Sequence, residues 1–323
     1  MTKISATIIQ RSRCVLTGKE IVTFEIVYQR MVHAELLTHR AFSRNSASSR
    51  AIPIQKVVDM VRTDWAEPEH WGKNQPGMQA REELSGFELE AVKDLWADAA
   101  NAAADFSEAM AKMGAHKQVA NRITEPYQWM KVVLTYTEGN NFKWLRNHED
   151  ADPTLHALTK AMIAELDSKP AFDIYPGEWH VPYVKRVRAG KELKYYTEVY
   201  LGDDEHDVQY LNIGEALAVS SSCCAQVSYR TLDMSLSKAQ MIYSRLVESE
   251  PVHASPFEHQ ATPMSSPSYF SENHDEDDGY NLLDPCTWQL GITHMDADRK
   301  FWSGNFQGFI QHRQLIQNNV KKG

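Results

Sequence analysis

The sequence predicts an α+β fold, and three observations carry that prediction. Residues 3–9 (Lys-Ile-Ser-Ala-Thr-Ile-Ile) and 20–26 (Glu-Ile-Val-Thr-Phe-Glu-Ile) are rich in β-branched residues and partly alternate. Gly18-Lys19 between them suits a hairpin. Residues 86–113 carry Leu89, Val92, Trp96, Ala99, Ala103, Phe106, Ala109 or Met110, and Met113 in a three/four rhythm that Gly114 stops. That rhythm predicts a long helix with this stripe in the core. Helix-like and strand-like stretches continue to the end of the chain, without an internal repeat or a low-complexity segment.

Taken in order, residues 27–42 predict a helix. Val27, Met31, Ala34 and Thr38 follow 4, 3, 4 spacing, and Glu35 and His39 share another face at i, i+4. A polar loop follows until Pro53. Residues 64–82 mix Pro, Gly, Trp and charge without a period and predict an ordered loop with the character of a lid. A second helix starts near Lys117 and ends before Pro126, Val132–Leu134 is a short buried segment, and residues 138–141 form a polar corner. Pro153 opens a helix through about Leu166, with Leu155, Leu158, Met162 and Leu166 on one face. Residues 193–201 predict a strand, and the Ala/Ser/Cys-rich 213–227 a tightly packed helix. Ser235 is placed to cap a further helix that buries Leu236, Ala239, Ile242 or Tyr243, and Leu246. Residues 253–259 form a polar turn, 271–279 an acidic loop, and 302–316 an amphipathic tail.

The 323 residues allow one large domain or two ordinary ones. With 42% hydrophobic residues, 24% charged residues and a net charge of -9, a general nucleic-acid-binding surface is not expected, while a local basic pocket stays open. Cys14, Cys223, Cys224 and Cys286 form no CxxC pair, which points to reduced thiols and a cytoplasmic setting. There is no signal-peptide pattern at the N-terminus, and no apolar run is long enough to cross a membrane. His253 and His259 are six apart with Pro256 between them, which does not make the i, i+4 helical pair of a zinc site, so no metal site is expected.

The densest chemistry lies in residues 38–50, Thr-His-Arg-Ala-Phe-Ser-Arg-Asn-Ser-Ala-Ser-Ser-Arg. Arg and hydroxyl groups are rarely buried without partners, so this is either a solvated loop or an anion clamp. Guanidinium, hydroxyl and loop N–H groups together are the set that holds a phosphate.

Three patches together resemble the flavin-dependent thymidylate synthases. The family signature is Arg-His-Arg, seven residues, then Ser. Here Thr38-His39-Arg40 is followed by seven residues and Ser48, with Asn45 three before that Ser and Arg50 two after it. Thr23-Phe24 matches the strand that leads in. Asn141-Phe142-Lys143-Trp144-Leu145-Arg146 is similar to the family's Asn-Phe-x-x-Leu-Arg helix. Gln226-Val227-Ser228-Tyr229 and His253-x-Ser255-Pro256-Phe257-Glu258-His259 are similar to the third patch. In the family that third patch comes first, so this chain looks like a circular permutation, which is physically reasonable where termini lie close together at the surface.

The resemblance implies one domain spanning residues 1–323, with core patches 20–166 and 213–262 and an insert and tail at 271–316. The fold would be a mostly antiparallel sheet packed with long helices, in permuted chain order. The activity would be transfer of a one-carbon unit from methylenetetrahydrofolate to C5 of dUMP, with FAD and NADPH, in a homotetramer with shared active sites. Nucleic acid and membrane would have no part.

Position by position, Ser48, Ser49 and Arg50 match the phosphate grip, the alternative being a solvated Ser-rich turn. Arg122 matches a further phosphate arginine after a one-residue gap, or is a surface helix arginine. Arg146 matches the arginine at the pyrimidine ring, where it would stabilise charge as C5 becomes nucleophilic. Glu35, Thr38, Ser46 and Ala47 fall on the nucleotide side. His39, Arg40, Asn45, Asn141, Ser228, His253, Ser255 and Glu258 fall on the flavin and folate side, with His253 also counted as catalytic.

Thr38 replaces the first signature Arg, Ser46 an acidic residue, Glu35 a common Gln, Asp150 a common His and Thr137 a common Arg. Uracil and cytosine differ at N3 and C4, so changes beside the ring leave dCMP, or a hydroxymethyl product, as a close alternative. A catalytically silent nucleotide-binding protein is the alternative from another class.

Overall fold

β1 (Ser5–Cys14) and β2 (Glu20–Gln29) form the antiparallel hairpin that the alternation predicts, with Gly18 at a φ of +69° in the turn. The computed structural model describes residues 3–202, 205–227, 233–265 and 284–321. β2 does not give way to a helix at residue 27, as its 4, 3, 4 spacing predicts. Its end pairs with β4 (Trp129–Tyr136), through Val27 with Lys131 and Gln29 with Trp129. A single 3-10 turn (Arg30–Val32) and the four-residue α1 (His33–Leu36) follow, then β3 (Ser43–Ser46), which pairs with Val132 to Thr135. β5 (Phe172–Ile174) joins β1 in parallel, and the sheet order is β3-β4-β2-β1-β5. The short buried segment expected at Val132–Leu134 is thus the middle of a full strand.

Both faces of this sheet are covered, so its central strands carry apolar residues at both parities. Val22, Phe24, Ile26 and Tyr28 of β2 join Met130, Val132 and Leu134 of β4 beneath Leu155, Leu158 and Met162 of the helix Pro153–Ser168. The opposite face meets the Ala/Ser/Cys-rich helix Ile213–Ala225, with Ile21 and Val219 in one cluster and Val133 and Cys224 in another. A one-residue bulge between Ile8 and Gln10 changes the facing of β1. Ile4, Ala6 and Ile8 therefore enter the first core, and Cys14 the second.

The same bulge aligns a buried polar chain across the sheet. Arg186 donates to Ser12 Oγ (2.7 Å), Ser12 meets His180 Nδ1 (2.6 Å), and His180 Nε2 meets Thr23 Oγ1 (2.9 Å). Thr23 bonds Thr135 (2.7 Å), and Thr135 bonds His259 Nδ1 (2.8 Å). The turn containing residues 253–259 is thereby tied to the sheet from a distant part of the chain.

Helix α2 (Ile54–Thr63) packs on α3 (Gly86–Lys112). The bounds of α3 match the sequence, but its buried face does not. Val57, Val58 and Val61 close on Ala100 and Ala104, because small residues let the two helices approach. Much of the expected stripe lies outside: Val92 is 36% exposed, Phe106 65% and Met113 88%, while Trp96 is half-buried against Trp71 and Tyr127. The helix expected from Lys117 is the short α4 (Lys117–Ala120), continued by a 3-10 stretch (Asn121–Tyr127) that contains Pro126. The polar corner at 138–141 opens α5 (Asn140–Arg146). A Cβ on Gly139 would enter the Tyr136 ring, so this glycine lets α5 start against the end of β4.

After α6 (Pro153–Ser168), β6 (Lys185–Ala189), β7 (Glu192–Gly202) and β8 (Glu205–Leu211) form a separate antiparallel ribbon. α7 (Ile213–Ala225) starts from an Asn212/Glu215 capping box and packs on α8 (Leu236–Glu248), where Ser235 occupies the cap position without a side-chain cap bond. The tail is integral to the fold. β9 (Ala261–Pro263) pairs with Phe309–Gln311, and β10 (His294–Met295), β11 (Phe301–Ser303) and β12 (Phe306–Gln307) form a small sheet beside it. The acidic stretch 271–279 and Ser228 lie outside the described residues. No helix among the described residues is long and apolar enough to cross a membrane.

Candidate functional site

β3 organises the segment 38–50. Ser43 and Asn45 are buried in the direction of α7 and the tail, and Arg44 and Ser46 alternate with them. Ser43 donates to Asn305 Oδ1 (3.1 Å) and accepts from Gln311 Nε2 (3.2 Å). Asn45 donates to the Cys224 carbonyl (3.1 Å), and its Oδ1 is buried with no hydrogen-bond partner among the described residues. Arg44 donates to the carbonyls of Leu37 and His39 (3.1 Å each), which holds the turn between α1 and β3.

That turn brings His39 and Glu35 to Arg146. Arg146 Nε donates to His39 Nε2 (3.0 Å), and its NH1 lies 3.6 Å from Glu35 Oε2. His39 also packs edge-on to Phe142, with 4.8 Å between ring centroids, and against Phe42 at 5.9 Å. Burial, then the Arg146 and Arg44 cations, push its pKa down to about 4. Its imidazole is therefore neutral near pH 7 and presents Nε2 as an acceptor. Thr38, at the first signature position, donates to the Glu35 carbonyl (2.7 Å) and is exposed.

A second cluster surrounds Glu125. Its Oε1 accepts from Arg30 NH2 (2.8 Å), Ser49 Oγ (2.8 Å) and Arg122 NH1 (3.1 Å). Asn121 supports the loop by donating to the carbonyls of Ser49 (2.7 Å) and Ile52 (3.0 Å). Arg30 also reaches the Ala47 carbonyl at 3.4 Å. Arg50 is exposed and makes no ion pair among the described residues, and the same holds for Arg40. Between the two clusters, Tyr28 OH meets His33 Nδ1 (2.6 Å) and His33 Nε2 meets Ser46 Oγ (3.4 Å). Burial, then Arg30 and Arg44, push the His33 pKa down to about 4.

The third patch reaches the same strand. The 3-10 turn Ser255–Glu258 packs on β3. Glu258 pairs with Arg313, and its carbonyl accepts from Gln311 Nε2 (3.3 Å). Its carboxylate is thus engaged within the fold. His253 is exposed, with its backbone N–H on Ser249 Oγ (3.0 Å) and the Leu246 carbonyl (3.1 Å). Asn141 is exposed on the first turn of α5, which Gly139 rather than an Asn side chain precedes as the cap residue.

A cavity of about 370 Å³ lies apart from these clusters, lined by His70, Arg81, Glu149, Asp150 and His156 among others. Arg81 pairs with Asp150 at 3.0 Å, so the 64–82 loop folds over the start of α6. No group of three or more His, Cys, Asp or Glu among the described residues could hold a metal ion.

The sequence reading missed Arg30, His33, Tyr28 and Glu125. The first three match no position of the three patches, and Glu125 stands 95 positions from Arg30 with no local signal to pair them. The cue available in the sequence was an acidic residue three positions after Arg122, itself matched to a phosphate contact.

No family model and no curated protein matches this chain. Among solved structures it is similar to the UMP/dUMP methylase PolB from Streptomyces cacaoi bound with 5-Br dUMP, at 12% identity and a TM-score of 0.43, over 52% of this chain and 91% of that one. The same methylase bound with 5-Br UMP gives 12% identity and a TM-score of 0.41, over 52% and 90%. These are partial correspondences of chain trace.

Proposed function

We propose that this chain is a flavin- and folate-dependent enzyme that transfers a one-carbon unit to C5 of a pyrimidine deoxynucleotide monophosphate, converting dUMP to dTMP. The observation that carries the reading is convergence on β3. Arg146 from the second patch meets His39 and Glu35 from the first, and the turn Ser255–Glu258 from the third packs on the same strand.

In this reading Ser48, Ser49, Arg50 and Arg122 hold the phosphate, and Glu35, Thr38, Ser46 and Ala47 line the base. Arg146, held by neutral His39, places its guanidinium where charge grows on the ring as C5 becomes nucleophilic. His39, Arg40, Asn45, Asn141, Ser228, His253, Ser255 and Glu258 are the candidates to hold FAD. The exposed side chains of Arg40, Asn141 and His253 and the unpartnered Asn45 Oδ1 are donors and an acceptor of the kinds a flavin ring and its diphosphate engage. When bound, the flavin supplies the reducing electrons for the transfer, with NADPH as their source and methylenetetrahydrofolate as the one-carbon donor. Cys223 and Cys224 are poor nucleophiles. Burial, then Asp233, push the Cys223 thiol up to about 12, and burial holds Cys224 well above the ordinary thiol range.

One observation favours a second base. His33 stands behind Ser46, and a neutral imidazole offers a donor or an acceptor according to its tautomer, so the site suits the amino group of dCMP as well as the carbonyl of dUMP. The exposed seam Val92, Leu95, Ala99, Ala102 and Phe106 on α3 follows coiled-coil spacing and supports a homo-oligomer. The direct test is flavin: the purified chain, or the chain after incubation with FAD, shows a flavin absorption band. A colourless protein that takes up no FAD overturns the reading.

A further inference from the structure

Three donors from three separate turns converge on one oxygen of Glu125. Arg30 comes from the turn after β2, Ser49 from the loop after β3, and Arg122 from the 3-10 stretch before β4. Two charged donors and a hydroxyl on one oxygen form the arrangement that binds a phosphoryl oxygen. The cluster lies at the surface, with the Arg122 side chain 55% exposed and Glu125 24% exposed. Arg30, Arg122 and the adjacent Arg50 carry three positive charges against the one negative charge of Glu125, so the local field still favours a further anion.

We infer that Glu125 is a resident carboxylate in the phosphate site, and that an entering phosphate must displace it. Its role is to set which anions the clamp accepts. A monoanion exchanges for Glu125 without gain in charge. A phosphate dianion brings twice the charge and several acceptor oxygens to the same donors. The natural ligand's identity as a nucleotide rests on the proposal above, whereas the competition at Glu125 does not.

The test is calorimetric titration of the full chain and of Glu125→Gln with inorganic phosphate, dUMP and deoxyuridine. Glu125→Gln is expected to bind phosphate and dUMP at least roughly tenfold more tightly, because the competing charge is gone, with deoxyuridine unchanged. Phosphate binding no tighter in the variant than in the wild type, or no phosphate binding to either, overturns the inference. Tighter phosphate with no dUMP binding supports it and removes the nucleotide reading. Phosphate binding no tighter in the variant, with dUMP bound by both proteins, removes the inference and leaves the nucleotide reading in place. Should the variant fail to fold, the wild type labelled with 13C-glutamate gives a second readout. A shift of the Glu125 carboxyl resonance at saturating phosphate supports displacement, and an unmoved resonance overturns it.

Discussion

Arg146 donates its Nε–H to Nε2 of His39 across 3.0 Å, which joins the end of α5 to the turn between α1 and β3. The bond requires a neutral imidazole, and burial with two neighbouring guanidinium groups keeps it so. Phe142 and Phe42 pack on the same ring, so the guanidinium is set by packing as well as by the hydrogen bond.

Arg146→Ala is expected to lower turnover by roughly 100- to 1,000-fold, the loss typical of removing one donor to transition-state charge. Flavin content should be unchanged. Steady-state kinetics with absorbance quantitation checks this, and a variant with full turnover would remove Arg146 from the site.

Arg50→Ala is expected to weaken nucleotide binding by about 1.5–3 kcal/mol, the contribution of a hydrogen bond to a charged group. Flavin binding should not change. Calorimetry with dUMP measures it directly, and an unchanged affinity would assign Arg50 to solvent.

Acid should destabilise the fold before its carboxylates titrate. His33, His39 and His312 are pushed down to about 4 and His259 to about 3, all from 6.5 and all chiefly by burial. The unfolded chain binds more protons than the folded chain between those values and 6.5. Stability is therefore full above about pH 6.5 and falls as pH drops through the window. Urea midpoints between about pH 7.5 and about pH 4 should decline continuously, and His259→Asn should flatten part of the slope. A flat midpoint over that range would contradict the buried neutral state of these rings.

The homo-oligomer proposed from the exposed seam of α3 is expected to fall to a smaller species in Leu95→Glu with Phe106→Glu while helix content stays the same, because both side chains lie on that seam. Sedimentation velocity and circular dichroism together check it. An unchanged mass would contradict a subunit contact at this seam.

Much of the architecture was legible because it rests on local chemistry. The β1–β2 hairpin follows from alternation around Gly18, and α6 and α7 follow from Pro153 and from an Ala/Ser/Cys run whose small side chains are buried. Residues 27–42 misled because Val27, Met31, Ala34 and Thr38 meet helical spacing while residues 27–29 form strand bonds to β4, and pairing with residues as distant as Lys131 leaves no trace in a local window. For α3 the period was right and the face wrong. Periodicity reports an apolar stripe but not what covers it, and α2 covers the small-residue face. Within the candidate site, Ser49, Glu35, His39 and Arg146 were named from their positions in the patches. Arg30 and Glu125 were not, because an isolated charge in a short turn acquires meaning only when the fold gives it a partner.

The central claim is chemistry at C5, and isotope release measures it most directly. The full chain is incubated with FAD, NADPH, methylenetetrahydrofolate and either dUMP or dCMP carrying tritium at C5. Release of tritium to water from one of the two, with a product heavier by one carbon unit in mass analysis, is the predicted result. Retention of tritium in both nucleotides by a chain that has bound flavin would contradict it.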